Sequence, residues 1–438
     1  MKKIVKKVPP ILLNVFTVLF GVSMLFSSLC KNPEIDKVLC DVLGSGKTET
    51  IATGKEPIYY KTWYQNVEDL MAGSGEYAAA SEAEGAVLLK NNVLASGKAA
   101  LPLNKNLDKV SVFGVTAYNP MSSLDGAGEI IVNENRKQYF DTEFKNVGLD
   151  VNENLSSWYR EHTEFYRSKT SSNGVNVNIN GAGWNDINTS SKTASGYKTA
   201  VYVIGRMGNE AIDLPPYSTS SGTNGLTDGD YLKLTATERS LLQGLKQEKE
   251  KGTFDRIIVL INAANPIQDD FIDNEAYGID AALWIGFPGS VGIQAVADIL
   301  IGKTTPSGRL SSAWYSSKEE NPTWNNFGNF NNGSSYVLYQ EGIYVGYKYA
   351  ETRYEDYVMS SANAGTYNYA NAINYPFGYG LSYTNFSYEF VSLEKDTDPK
   401  KNYDSKGKLK AESNKRSDGD DYVATVKVTN TGSEYSGK

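Results

Sequence analysis

Hydrophobic and polar positions divide this chain into stretches of different periodicity. The first is Ile11 to Leu29, nineteen residues without a charge, with one internal amide, Asn14, preceded by Lys2, Lys3, Lys6 and Lys7. As a helix this run reaches about 28 Å, close to the ~30 Å hydrocarbon core of a bilayer, and the lysines mark the cytoplasmic side. Residues 1–30 are therefore expected to form a transmembrane anchor. A cleaved signal segment is the alternative, although Ser27-Ser28-Leu29-Cys30 fits the small-residue cleavage pattern poorly. Either way the remainder is expected outside the membrane, anchored or secreted. Residues 31–70 read as a juxtamembrane linker. Gly44-Ser45-Gly46-Lys47-Thr48 within it resembles only the end of a phosphate-binding loop, because Asp41 stands where that loop's first glycine belongs.

From residue 71 to 318 the period changes. Four short, β-branched apolar runs, Lys109–Val115, Thr199–Gly205, Arg256–Ile261 and Ala281–Gly286, have the nearly continuous hydrophobicity of strands buried on both faces. Between them lie helical patterns at Asn133–Asn146, Asn152–Arg167, Thr235–Lys249 and Gly289–Leu300, and Thr235 with Glu238 makes a capping box. The alternation predicts an α/β fold: an open, mostly parallel sheet sandwiched by helices. Ligands of such sheets bind beyond the carboxyl ends of the strands. That directs attention to Thr116–Asn119, Arg206–Asp213, Asn262–Asn265 and Phe287–Gly289.

Residues 319–375 are rich in Asn, Tyr and Gly and carry no long period. Phe386–Leu393 and Tyr422–Val428 then alternate as antiparallel strands do. Two strands are the beginning of an all-β domain, not a complete one, so residues 376–438 read as an incomplete module and the chain as part of a longer one.

Composition narrows the chemistry. A net charge of −8 provides no basic surface, so nucleic acid is not an expected partner. Two cysteines cannot build a disulfide framework. One histidine, His162, excludes zinc sites built from several histidines, and any serine triad would have to use that residue. Chemistry by carboxylates remains. A nucleotide-binding sheet is disfavoured because no glycine fingerprint follows the first strand.

Six ordered motifs carry a resemblance. They are Glu84–Asn92 (EGAVLLKNN) with Leu101-Pro102-Leu103, Asn262–Pro266, Trp284–Gly289 (WIGFPG), Ala297–Gly302 (ADILIG), Pro306–Leu310 (PSGRL) and Tyr375–Thr384 (YPFGYGLSYT). Together they resemble the C-terminal α/β-sandwich domain of glycoside hydrolase family 3, followed by the start of a fibronectin type III-like domain. The resemblance implies a retaining hydrolase of terminal β-linked sugars, a β-glucosidase above all, with no metal or organic cofactor. Its nucleophilic aspartate would lie in a (β/α)8 barrel. Only about 50 residues separate the apolar run from Glu84, against about 250 for a barrel, so the chain resembles a circularly permuted member with its barrel expected downstream.

The same resemblance assigns residues. Glu210, just past the strand ending at Gly205, matches the general acid/base; Arg206 and Asp213 are substrate-binding or loop-supporting, with Asp213 a candidate to hold Arg206. An acid must stay protonated near neutral pH, and Met207 and Ile212 offer apolar surroundings for it. Asp125, Glu129, Asp228 and Asp230 are loop carboxylates with no assigned role. Trp184 and Trp284 are sugar-stacking candidates, Trp284 more simply a core residue, and His162 is expected on an exposed helix face. The competing reading is a non-catalytic, membrane-anchored carbohydrate-binding or interaction module of the same fold.

Overall fold

The computed structural model describes residues 8–29, 62–123, 136–166, 181–207, 231–268, 270–325, 339, 341–395 and 422–437. The phosphate-loop look-alike at 44–48 lies outside them, as do Asp125, Glu129, Asp228 and Asp230. The chain divides into two units, Met1–Gln65 and Asn66–Lys438.

In the first unit α1 spans Val8–Leu29. Its described side chains from Leu12 to Leu25 are mostly exposed and apolar. Among the described residues no helix is long and apolar enough to cross a membrane, so the expected transmembrane span is not supported.

The second unit is built on a six-stranded sheet. Its strands are β1 (Val87–Asn91), β2 (Lys109–Phe113), β3 (Asp150–Val151), β4 (Thr199–Arg206), β5 (Arg256–Ala263) and β6 (Ala281–Trp284), in the order β1-β6-β5-β4-β2-β3. Five run parallel, and β1 pairs antiparallel with β6. Every residue of β4 and seven of the eight in β5 are buried, which is why these runs carry continuous rather than alternating hydrophobicity. The free edge of β1 is closed by distant chain: Leu381 donates its backbone N–H to Leu88 (2.8 Å), and the Tyr379 hydroxyl donates to the carbonyl of Leu89 (3.0 Å).

Helices cover the sheet. They are α2 (Val67–Gly85), α3 (Phe140–Asn146), α4 (Glu153–Glu161), α5 (Thr189–Lys192), α6 (Ala236–Glu250) and α7 (Ile293–Leu300). α7 packs against α2 and α3, α4 against β2 and α5, and α6 against β5. The chain reverses its direction across the sheet between β2→β3 and β3→β4. Right-handed crossovers then put α3 and α4 on opposite faces. α3 starts later than its periodicity predicts, at Phe140, and α4 ends at Glu161 before a 3₁₀ turn at Thr163–Phe165. His162 caps that junction half-buried, stacked on Trp158 at 4.3 Å, and not on an exposed face as expected. Trp184, partly buried, lies against Gly244 of α6, where a Cβ would come within 2.2 Å of the indole.

Glu82, on α2, has its Oε1 shut off from solvent with no hydrogen-bond partner, although the residue as a whole is partly exposed. Burial pushes its carboxyl up to about 8. The unfolded chain ionises this group near 4.5, so its contribution to stability is complete below that pH and is lost as pH rises toward 8. Glu82→Gln should therefore leave the urea midpoint unchanged at pH 5 and raise stability at pH 8.5 by about 2 kcal/mol. Equal effects at both pH values would show that the carboxyl is solvated.

Beyond the sheet, a satellite core of Ala313, Tyr315, Ala350, Ala372 and Ile373 joins β7 (Trp314–Tyr315), β8 (Ile373–Tyr375) and α8 (Tyr347–Val358), with the short α9 (Tyr369–Ala372) alongside. The twelve-residue α8 was not foreseen, because only Ala350 of it is buried and its apolar period is correspondingly weak. The last element is the antiparallel pair β9 (Phe386–Lys395) and β10 (Tyr422–Asn430).

Candidate active site at the strand switch point

The strand order reverses between β2 and β4, and a doubly wound sheet opens a crevice at the carboxyl ends of such a pair. Four strand ends meet there. Asn262, fully buried near the end of β5, ties three of them: its Oδ1 accepts from Met121 N (2.8 Å), and its Nδ2 donates to Met121 O (3.0 Å) and Gly286 O (2.7 Å). Gly289 N donates to Ser122 O (3.1 Å), and the Trp284 indole donates to Ala263 O (2.6 Å). Trp284 thus belongs to the sheet's frame and packs against the core.

β2 turns away at Gly114 into a 3₁₀ turn, Val115–Ala117, which packs on the end of β4. The contact demands a glycine on β4. A Cβ at Gly205 would lie 2.5 Å from Thr116 Oγ1, 2.8 Å from its Cγ2 and 3.0 Å from Met121 Cε. Gly205→Ala should cost about 1–3 kcal/mol in chemical denaturation through this overpacking. A neutral result would mean that the turn moves freely.

Arg206 follows. It is fully buried, and all five of its N–H donors are used. Nε donates to Tyr231 O (2.8 Å), Nη1 to Gly205 O (2.9 Å) and Glu238 Oε1 (2.6 Å), and Nη2 to Lys233 O (2.7 Å) and Glu238 Oε2 (2.7 Å). Burial alone would lower the guanidinium's hold on its proton; the Glu238 carboxylate reverses this and leaves it raised. Glu238 also makes the capping box, accepting from Thr235 N (2.8 Å) while Thr235 Oγ1 accepts from Glu238 N (3.2 Å). The Tyr231 hydroxyl accepts from Met207 N (2.7 Å) and donates to Met207 O (2.8 Å). Chain leaving β4 at Arg206-Met207 and chain returning at Tyr231–Glu238 are therefore fastened together on both sides of residues 208–230.

The sequence expectations sort accordingly. Glu210 and Asp213 lie in 208–230, outside the described residues. Among the described residues the charged partner of Arg206 is Glu238, and all five of its N–H donors are engaged within the protein interior. The sequence marks Glu238 as a capping residue only; its pairing with Arg206 across 32 residues leaves no spacing signal. Tyr231 carried no signal beyond being the first aromatic after a polar run. Among the described residues no cluster of three or more His, Cys, Asp or Glu side chains is arranged to hold a metal.

Comparison with known proteins gives this geometry its context. The Glycosyl hydrolase family 3 C-terminal domain matches residues 86–347. A β-glucosidase of Ruminococcus albus is 28% identical over 369 residues, 82% of this chain and 31% of that protein. β-Glucosidase A of Butyrivibrio fibrisolvens is 27% identical over 331 residues, 73% of this chain and 36% of that protein. Among solved structures, a β-glucosidase from Paenibacillus barengoltzii superposes with a TM-score of 0.59 at 27% identity, over 83% of this chain and 33% of its own. The chain spans about a third of the length of these relatives. By the matched domain, which takes in the whole six-stranded sheet and the stapled strand ends, this chain belongs to glycosyl hydrolase family 3 through its C-terminal domain.

Proposed function

We propose that this chain is the α/β part of a retaining β-glucosidase, supplying the general acid/base from residue 210 while a nucleophilic carboxylate comes from a (β/α)8 barrel. The observation that carries the reading is the double fastening of residues 208–230 at the strand switch point. The fastened residues on either side, Arg206-Met207 and Tyr231–Glu238, lie by the edge where doubly wound sheets bind their ligands, which supports a role for the intervening carboxylates. The kinship to β-glucosidases supports the substrate class. Retaining hydrolysis needs two carboxyl groups about 5 Å apart, one attacking the anomeric carbon and the other protonating the departing oxygen and later deprotonating water. In this scheme Glu210 is the second group, and no metal or organic cofactor takes part. Asp213 supports the loop, and a terminal β-linked glucoside is the substrate. Residues 376–438 begin a fibronectin type III-like domain, and α1 holds the protein at a membrane or is removed on export.

The test is hydrolysis of an aryl β-glucoside by the chain alone and by the chain joined to a nucleophile-bearing barrel. The chain alone should be inactive, and the joined protein active in a manner that depends on Glu210. Turnover by the chain alone that survives Glu210→Gln would overturn the assignment.

A further inference from the structure

α2 lies along α7 and contributes no fully buried residue of its own. Ala72, Gly75, Ala79 and Ala83 of α2 face Val291 and Ala295 across a groove. Side chains this short would let two helices close on each other, yet they line an open space of about 530 Å³, within the roughly 300–1,000 Å³ that small-molecule sites take. Glu76, Arg136, Gln138, Gln294, Asp298 and Thr304 supply its polar lining. Arg136 and Glu76 make no hydrogen bond or ion pair with any described residue. Gln138 uses its Oε1 to accept from the backbone N–H of Gln294 (3.0 Å), and its amide N–H donors are unbonded among the described residues. Asp298 holds Lys303 through Oδ2 (2.9 Å), while its Oδ1, shielded from solvent, has no partner. A buried carboxylate oxygen without a donor is rare in a folded protein and asks for one from outside the chain. The charges balance: Arg136 offsets Glu76, and Lys303 offsets Asp298.

We propose that the α2–α7 groove is a binding site for a neutral sugar ring. A hydroxyl both donates and accepts, and a pair of adjacent hydroxyls matches the two-pronged edge of a guanidinium, a carboxylate or a carboxamide. Arg136, Glu76 and Gln138 bring all three kinds of edge to one groove, with donors and acceptors both left over. The floor of alanines and Val291 suits the C–H face of a pyranose, and a longer side chain at Ala79 would occupy that space. An anion or a cation gains less here, because each charge of the lining comes with its opposite. Binding at this groove does not depend on the activity proposed for residue 210.

Saturation-transfer NMR titrations of the full 438-residue chain, in a polyoxyethylene detergent that itself carries no sugar, test this with D-glucose and cellobiose as probes. The wild type should bind one or both with a Kd on the order of a millimolar. Arg136→Lys keeps the charge and loses the planar fork, and should weaken binding at least about tenfold; Glu76→Gln, which removes one charged acceptor, should do the same. Ala79→Leu should abolish it by filling the floor. Glu210→Gln should leave it unchanged, which separates this site from the one proposed for hydrolysis. Hydrogen exchange checks that each variant remains folded, through unaltered protection of β4 and β5. The proposal is overturned by a wild type that binds neither sugar, by binding that survives both Arg136→Lys and Ala79→Leu, or by binding that Glu210→Gln removes. Tighter binding of spermidine than of either sugar would assign the groove to cations and overturn it equally.

Discussion

Arg206→Met is expected to lower unfolding free energy by about 3–5 kcal/mol, the cost of leaving one partner of a buried ion pair behind. The arithmetic is set by what remains. Glu238 would keep a carboxylate in a dry site, and the carbonyls of Gly205, Tyr231 and Lys233 would each lose a donor. Removing both charges should hurt less than removing one. Glu238→Gln keeps an acceptor for Thr235 N, so Arg206→Met/Glu238→Gln should recover a substantial part of the loss. A double-mutant cycle in urea would measure the difference. Strict additivity would mean that the two side chains do not act as a pair. Because Arg206 ties the end of β4 to Tyr231, Lys233 and Glu238, the substitution should also loosen that joint before the sheet itself unfolds.

The second large effect tests the acid/base role proposed for Glu210. In the protein joined to its barrel, Glu210→Gln should lower turnover of a glucoside with a poor leaving group by about 10²–10⁴-fold, the range general acid–base catalysis supplies. A nitrophenolate departs without help, so the first step on an activated aryl glucoside should be nearly spared while the second, which needs a base to activate water, remains slow. An anion that requires no deprotonation, such as azide, should restore turnover and yield the β-glycosyl azide. Unchanged kinetics on both substrates would identify Glu210 as a solvated loop residue.

Much of the sheet was legible because its physics is local. Burial on both faces forces β4 and β5 into unbroken apolar runs, and Thr235 with Glu238 announces the start of α6. The antiparallel pairing of β1 had no such signal: Val87-Leu88-Leu89 reads the same in either direction, and only its contact with β6 sets the sense. α3 and α4 proved shorter than their patterns, since periodicity marks which face is apolar and not where backbone bonding stops. The site was legible as a place, from strand ends and motif order. Its fastening was not, because Arg206, Tyr231 and Glu238 are joined by distances in space that leave no spacing rule in the chain.

The closure of β1 has a consequence for how the protein survives in concentrated surroundings. An edge strand offers a row of unsatisfied N–H and C=O groups to any other chain, and flat, apolar edges are where sheets join into aggregates. Here two of those groups, the carbonyls of Leu88 and Leu89, are engaged by Leu381 and Tyr379, nearly three hundred residues further along. Until those residues arrive during synthesis the nascent sheet is adhesive, and once they arrive it is not. The glycine- and tyrosine-rich turn around Tyr379 thus acts as a guard against misassembly, and its integrity bears on yield and solubility.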